Sequence, residues 1–329
     1  MNKKRYFTIA LFFVAIVVLS TMASNTSSLP SLEKKPTIKV AFIWQRWDRL
    51  DIPAKLGMEL YRRELKVAES KYNINFEVYE FWDNKITGDV QRGKLRKLNI
   101  DVVIGPGGFG GWDCPKRYRE EIKEFVKKGG GFYGICGDST FGSLGMINMP
   151  RGSKRLMLKI LGINEFTPML GLANVYTDAS ALKRELRHPL YYNKLDMVRT
   201  VLSLFLSRAE IYIVKSQIPI QEPYFGKSVK VMLGNAALVD GPKLNRLFMS
   251  KVTDIAIFKG YDALYDSSLK GKKAIIATTY HNGRVILSAP HPELTIESKK
   301  MHDMFVRNIL WCAKELPETD ESKGIFSVI

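Results

Sequence analysis

The chain has 329 residues, 46% of them hydrophobic and 25% charged, with a formal net charge of +17. That balance excludes a disordered chain, and three cysteines are too few for a disulfide scaffold at this length. Basic residues are interleaved with acids along the predicted helices, as in RRELK and KRYREEIKEFVKK, which describes a solvated surface and leaves no expectation of a nucleic-acid partner.

In chain order, Lys3-Lys4-Arg5 precede the apolar run YFTIALFFVAIVVLSTMAS, and no charge follows until Glu33. A basic start, an apolar centre and small residues at Thr21 and Ala23 describe a secretory signal over 1–23. The run is also almost long enough to span a bilayer, so an uncleaved membrane anchor is the competing reading. Either way the expectation is export, secreted or anchored. Residues 24–36 are polar and proline-punctuated, a linker that contains the sequon Asn25-Thr26-Ser27.

The segment 37–316 then alternates strand and helix, as one domain. IKVAFIW (Ile38–Trp44) is a predicted strand, and Asp51-Ile52-Pro53 opens a helix that carries Leu56, Leu60, Leu65, Ala68 and Tyr72 on one face. FEVYEFW (Phe76–Trp82) and DVVIG (Asp101–Gly105) are the next strands. A helix marked by Tyr118, Ile122, Phe125 and Val126 stops at Gly129-Gly130-Gly131. Strands rich in Val, Ile and Phe and separated by helices predict a parallel sheet covered on both faces, with ligands bound beyond the carboxyl ends of the strands.

Within 150–235 only the strand IYIVK and helical patches such as LDMVRTVLSLFLSR stand out, and this is the least charge-balanced stretch, with 13 basic and 6 acidic residues from Arg151 to Lys230. AIIATTY and RVILSAP read as a hairpin joined at Asn282-Gly283. A last helix runs from about Ser298 to Glu315, and 317–329 is a polar tail.

Two loops fall on the ligand-binding rim: GPGGFGGWD after the third strand, and CGDST within GGGFYGICGDST (Gly129–Thr140). Cys136 there is either a small buried filler or a nucleophile on a sharp strand-to-helix turn, with the first helical amides facing it. A cysteine nucleophile needs a base and the base needs an orienter. Of the four histidines, His188, His281 and His302 read as turn or surface residues. His291 follows a strand directly, in His291-Pro292-Glu293, where Glu293 is placed to fix an imidazole tautomer. Glycines at 107 and 108 allow the backbone to approach an oxyanion. Cys114 is expected on the same rim, as a lone loop thiol or as a redox partner of Cys136, and Cys312 is expected in the core. No CxxC or CxxH pair and no P-loop occurs, so neither a metal nor a cofactor is expected.

The cysteine elbow, the glycine-rich loop one strand earlier and the late His-x-Glu together resemble the class I glutamine amidotransferase-like superfamily. More narrowly, PGG, FVKKGGGFYGICGDSTFGS and GRVILSAPHPE look like the family named for the N-terminal domain of biotin-protein ligases. The resemblance implies an α/β, flavodoxin-like three-layer sandwich with a mainly parallel sheet, plus an inserted region at about 150–235 and a C-terminal β-hairpin. It implies Cys136 as nucleophile, His291 as base, Glu293 as orienter, and an oxyanion hole from backbone amides near Gly108 and at Gly137. Two departures stand out: Asp138 occupies a position that is usually glycine, and the spacing from Cys136 to His291 is long. A live triad implies hydrolysis of a small amide or a peptide bond through a thioester, with no synthetase partner in view. The alternative is a catalytically silent ligand- or protein-binding module of the same fold.

Overall fold

A computed structural model describes residues 35–46, 57–108, 114–148, 169–181, 208–234, 236–260 and 269–316. The segment expected to be a signal or anchor (1–23), nearly all of the expected linker, the expected helix start at Asp51, nearly all of the patch LDMVRTVLSLFLSR and the tail at 317–329 lie outside these residues.

The first strand, β1 (Thr37–Gln45), is buried along both faces, as an inner parallel strand must be. Its even positions Val40, Phe42 and Trp44 enter one apolar cluster, and Ala41 and Ile43 enter the other. Helix α1 (Met58–Tyr72) leads to β2 (Asn75–Asp83), which pairs with β1 in parallel. The short helix α2 (Lys94–Lys97) precedes β3 (Val102–Gly105), parallel to β1 on its other side. Helix α3 (Lys116–Lys127) leads to β4 (Gly131–Ile135), parallel to β3. Helix α4 (Gly137–Gly142) then starts directly after Cys136.

The chain continues through β5 (Met146–Ile147), β6 (Val175–Asp178), β7 (Arg208–Ile213), β8 (Ser228–Leu233), β9 (Leu238–Asp240), β10 (Thr253–Gly260), β11 (Lys273–Tyr280), β12 (Gly283–Ser288) and β13 (Pro290–His291). The last helix is α5 (Lys299–Cys312). The main sheet runs β13-β8-β7-β10-β11-β12-β4-β3-β1-β2, with β5, β6 and β9 branching from β11.

The expected parallel sheet exists as one half of this. From β2 through β1, β3 and β4 to β12 the pairing is parallel. Beyond β12, the strands β11, β10, β7 and β8 pair antiparallel. The sheet is therefore mixed rather than mainly parallel. The reason lies in the connections: β12 follows β11 by a tight turn, which only an antiparallel pair can use. That turn is formed by His281 and Asn282, since Tyr280 pairs with Gly283. The hairpin tip thus sits one residue earlier than Asn282-Gly283, and His281 carries the positive φ of 50°.

Helices cover both faces. Tyr61 and Leu65 of α1 pack with Met301, Phe305 and Ile309 of α5 in one cluster, while Tyr118, Ile122 and Phe125 of α3 pack with Phe141 of α4 in the other. Phe42, Phe132, Phe141, Phe258 and Phe305 are fully buried, each stabilising the fold by roughly 1.5–3 kcal/mol relative to exposure. Cys312 is core, and burial pushes its thiol pKa well up. The described part of the 150–235 stretch is not a separate body: β7 and β8 extend the main sheet. Contacts group Pro36–Ile329 as one compact unit, and no helix among the described residues is long and apolar enough to cross a membrane.

Candidate functional site

Parallel pairing of β3, β4 and β12 puts three carboxyl ends side by side. Gly105 is level with Gly134, and Ile135 with Ser288. The amide of Cys136 then donates to the Ser288 carbonyl at 2.8 Å, so the residue after β4 is held at the end of β12. Immediately beyond, Cys136 turns with φ 53° and ψ −120°. This combination is strained for any residue with a side chain. It is sustained here because β4 and α4 fix both flanks. Cys136 remains partly exposed.

His291 reaches the same rim by a different route. It lies in β13, whose pairing with β8 sets Pro290 opposite Leu233 and His291 opposite Met232. Thr295 locks this pairing, its hydroxyl accepting from the Met232 amide at 2.9 Å and donating to the His291 carbonyl at 2.8 Å. His291 Nδ1 lies 2.6 Å from Glu293 Oε1, and both residues are buried. The carboxylate fixes the ring, which lies close enough to Cys136 for that side chain to raise its proton affinity.

Two glycines frame this pair. A Cβ on Gly107 would lie 3.1 Å from Cys136 Cβ, 3.4 Å from His291 Cε1 and 3.7 Å from Cys136 Sγ. A Cβ on Gly234 would lie 2.2 Å from His291 Cδ2, 2.4 Å from Nε2 and 3.0 Å from Cys136 Sγ. The imidazole edge and the sulfur are thus clasped between two backbone segments that approach closely only because they are glycine.

The electrostatics follow from burial. Desolvation lowers the proton affinity of the His291 ring, but Glu293 and then Cys136 raise it, and the balance places its pKa at about 10. The charge of Glu293 reaches two buried phenols: Tyr61 and Tyr133 are pushed well up, first by burial and next by Glu293. Tyr133 Oη accepts from Asn308 Nδ2 at 2.9 Å, tying this interior to α5.

The sulfur has a second neighbour. Cys136 Sγ donates to the Gly234 carbonyl at 3.0 Å. Gly234 and the His291–Glu293 pair act in opposite senses, because the carbonyl accepts from a neutral thiol and would repel a thiolate.

Asp138 makes no side-chain cap on α4. Its Oδ2 accepts the Gly107 amide at 3.0 Å, and the residue is buried. Gly108, with φ 86°, follows at the described end of the loop, and Gly137 is the first helical residue of α4, a position whose amide has no acceptor within the helix. Cys114 packs in the cluster on the opposite face from the one Cys136 borders, and no disulfide joins them. His302 pairs with Glu64 at 3.0 Å, away from the rim. Among the described residues no group of His, Cys, Asp and Glu could hold a metal ion.

Sequence reasoning missed Gly234 and Thr295. A strand-like VKVML ending in glycine was the available signal for the first, but nothing in the sequence placed that strand beside His291.

No family model and no curated protein matches the chain. Among solved structures, a ThuA-like protein from Parabacteroides merdae is similar over 87% of this chain and 93% of its own, with 9% identity and a TM-score of 0.45. A ThuA-like protein from Bacteroides uniformis is similar over 87% and 95%, with 10% identity and a TM-score of 0.43. A cold-adapted β-galactosidase from Rahnella sp. R3 is similar over 85% of this chain, with 15% identity and a TM-score of 0.42, and the chain spans only 32% of that enzyme's length.

Proposed function

We propose that this chain is a flavodoxin-like domain of the class I glutamine amidotransferase-like superfamily that cleaves a small amide or peptide bond through Cys136. The strand order β2-β1-β3-β4-β12 supports the layout. One observation carries the chemistry: a cysteine on a strained turn lies beside an imidazole, both close against Gly107 and Gly234, and one ring nitrogen is held by a buried carboxylate at 2.6 Å.

In the proposed reaction Cys136 attacks as a thiolate paired with the protonated His291 ring, whose pKa lies at about 10, and the C=O electrons move onto oxygen as sulfur bonds to the carbonyl carbon. Amides near Gly108 and at Gly137 receive that charge. The oxyanion then collapses, His291 gives its proton to the departing nitrogen, the C–N bond breaks, and a thioester remains on Cys136. Water, losing a proton to His291, attacks the thioester; the C–S bond breaks and a carboxylic acid leaves. Glu293 keeps the ring in one tautomer and offsets its charge throughout.

The Gly234 carbonyl on the thiol favours a second reading, in which the neutral thiol persists and the fold serves as a binding module. Export, secreted or anchored, belongs to the proposal through 1–23 alone. Intact-mass analysis after incubation with p-nitrophenyl acetate separates the two readings. The catalytic reading expects an acetyl adduct on Cys136 that decays by hydrolysis and never forms in Cys136→Ala. An unmodified Cys136 leaves the binding module.

A further inference from the structure

The proposed reaction needs the loop after β3 to present an amide to the oxyanion, yet from Gly105 to Gly108 the loop carries only the apolar ring of Pro106 and no polar side chain with which to hold itself in place. We infer that Asp138 is the residue that positions this loop, acting through the Gly107 amide; the inference rests on the reading of Cys136 as an acyl-transfer nucleophile.

Three observations carry it. Asp138 Oδ2 accepts the Gly107 N–H at 3.0 Å, with the residue 1% exposed. A Cβ on Gly105 would lie 2.6 Å from Asp138 Cβ and Cγ, so the side chain is laid along the loop from 105 to 107. Gly107 has a φ of 125° and Gly108 one of 86°, conformations that an unanchored glycine pair has no reason to keep. The bond also divides the labour. With the Gly107 amide committed to Asp138, the oxyanion contact from this loop falls to the next amide, at Gly108. Because Asp138 lies two residues after the nucleophile, one short helix start sets both the sulfur and the loop that faces it. The carboxylate that looks like a flaw beside a thiol becomes a brace on its other side.

A test on the full chain separates acylation from alkylation. Attack on p-nitrophenyl acetate forms the C–S bond, places charge on the carbonyl oxygen and expels p-nitrophenolate with the C–O electrons. Attack on iodoacetamide displaces iodide at a methylene carbon and builds no oxyanion. Asp138→Ala is expected to lower Cys136 acylation on the order of 100-fold, as removal of an oxyanion donor does, with alkylation unchanged. Asp138→Asn, whose side-chain oxygen still accepts from Gly107, is expected to recover most of the acylation. Parallel loss of both reactions in Asp138→Ala, or loss of neither, overturns the inference. If Asp138→Ala does not fold, Asp138→Ser, too short to reach Gly107, takes its place. If the unaltered chain is not acylated at all, the reading of Cys136 fails, and hydrogen exchange at the Gly107 amide then decides on Asp138. Protection in the unaltered chain and Asp138→Asn that is lost in Asp138→Ala supports the brace, and equal exchange in all three refutes it.

Discussion

Gly234 and His291 are in such close register that any side chain on the glycine would occupy the space of the imidazole: a Cβ would lie 2.2 Å from His291 Cδ2. The ring cannot yield easily, since Glu293 holds its far nitrogen and Thr295 holds its carbonyl. Gly234→Ala is therefore expected to push the ring off Cys136 and to cost about 1–3 kcal/mol of stability by overpacking. Acylation of Cys136 should fall on the order of 100-fold with the loss of an aligned base. A variant with undiminished acylation and an unchanged unfolding midpoint shows that the rim is looser than this geometry.

The His291–Glu293 pair makes stability depend on pH in a defined direction. The folded imidazole, at about 10, binds its proton more tightly than the ordinary value of 6.5. Its contribution is thus complete below about pH 6.5 and is lost as pH rises toward about 10. Urea midpoints across that window should fall for the unaltered chain, and Glu293→Gln should flatten the decline. An equal slope in both proteins contradicts the role given to the carboxylate.

Strain at Cys136 gives a prediction independent of chemistry. With φ 53° and ψ −120°, position 136 suits glycine better than any residue with a Cβ. Cys136→Gly is expected to be more stable than Cys136→Ala by about 1 kcal/mol, against the usual order of the two residues. Thermal melts of the two variants check it; alanine as the more stable variant would mean that the turn carries no strain.

Much of the N-terminal half could be read from the sequence because its signals are local. VAFIW and VVIG are continuous apolar runs of strand length, and they form inner strands; a helix face at Tyr118, Ile122 and Phe125 forms α3. Cys136 and His291 could be placed at strand ends for the same reason. What the sequence hides is pairing at a distance. The edge from β10 to β13 joins segments far apart in the chain, and nothing in IYIVK or VKVML announces antiparallel partners. The Gly234 contact depends on that pairing, and so it was invisible. Asp138 was visible as a departure from the expected glycine, but its direction was not: a carboxylate at that position has a thiol, a helix start and a loop amide all within reach, and only the position of Gly107 selects among them.

The central claim is that the His291–Glu293 pair activates the Cys136 sulfur despite the carbonyl of Gly234. The rate of Cys136 alkylation by iodoacetamide at pH 6, followed by peptide mass spectrometry on the full chain, tests it most directly. The account predicts a rate at least about tenfold above that of a free thiol, abolished in His291→Ala. A rate equal to that of a free thiol, unchanged by His291→Ala, would contradict it.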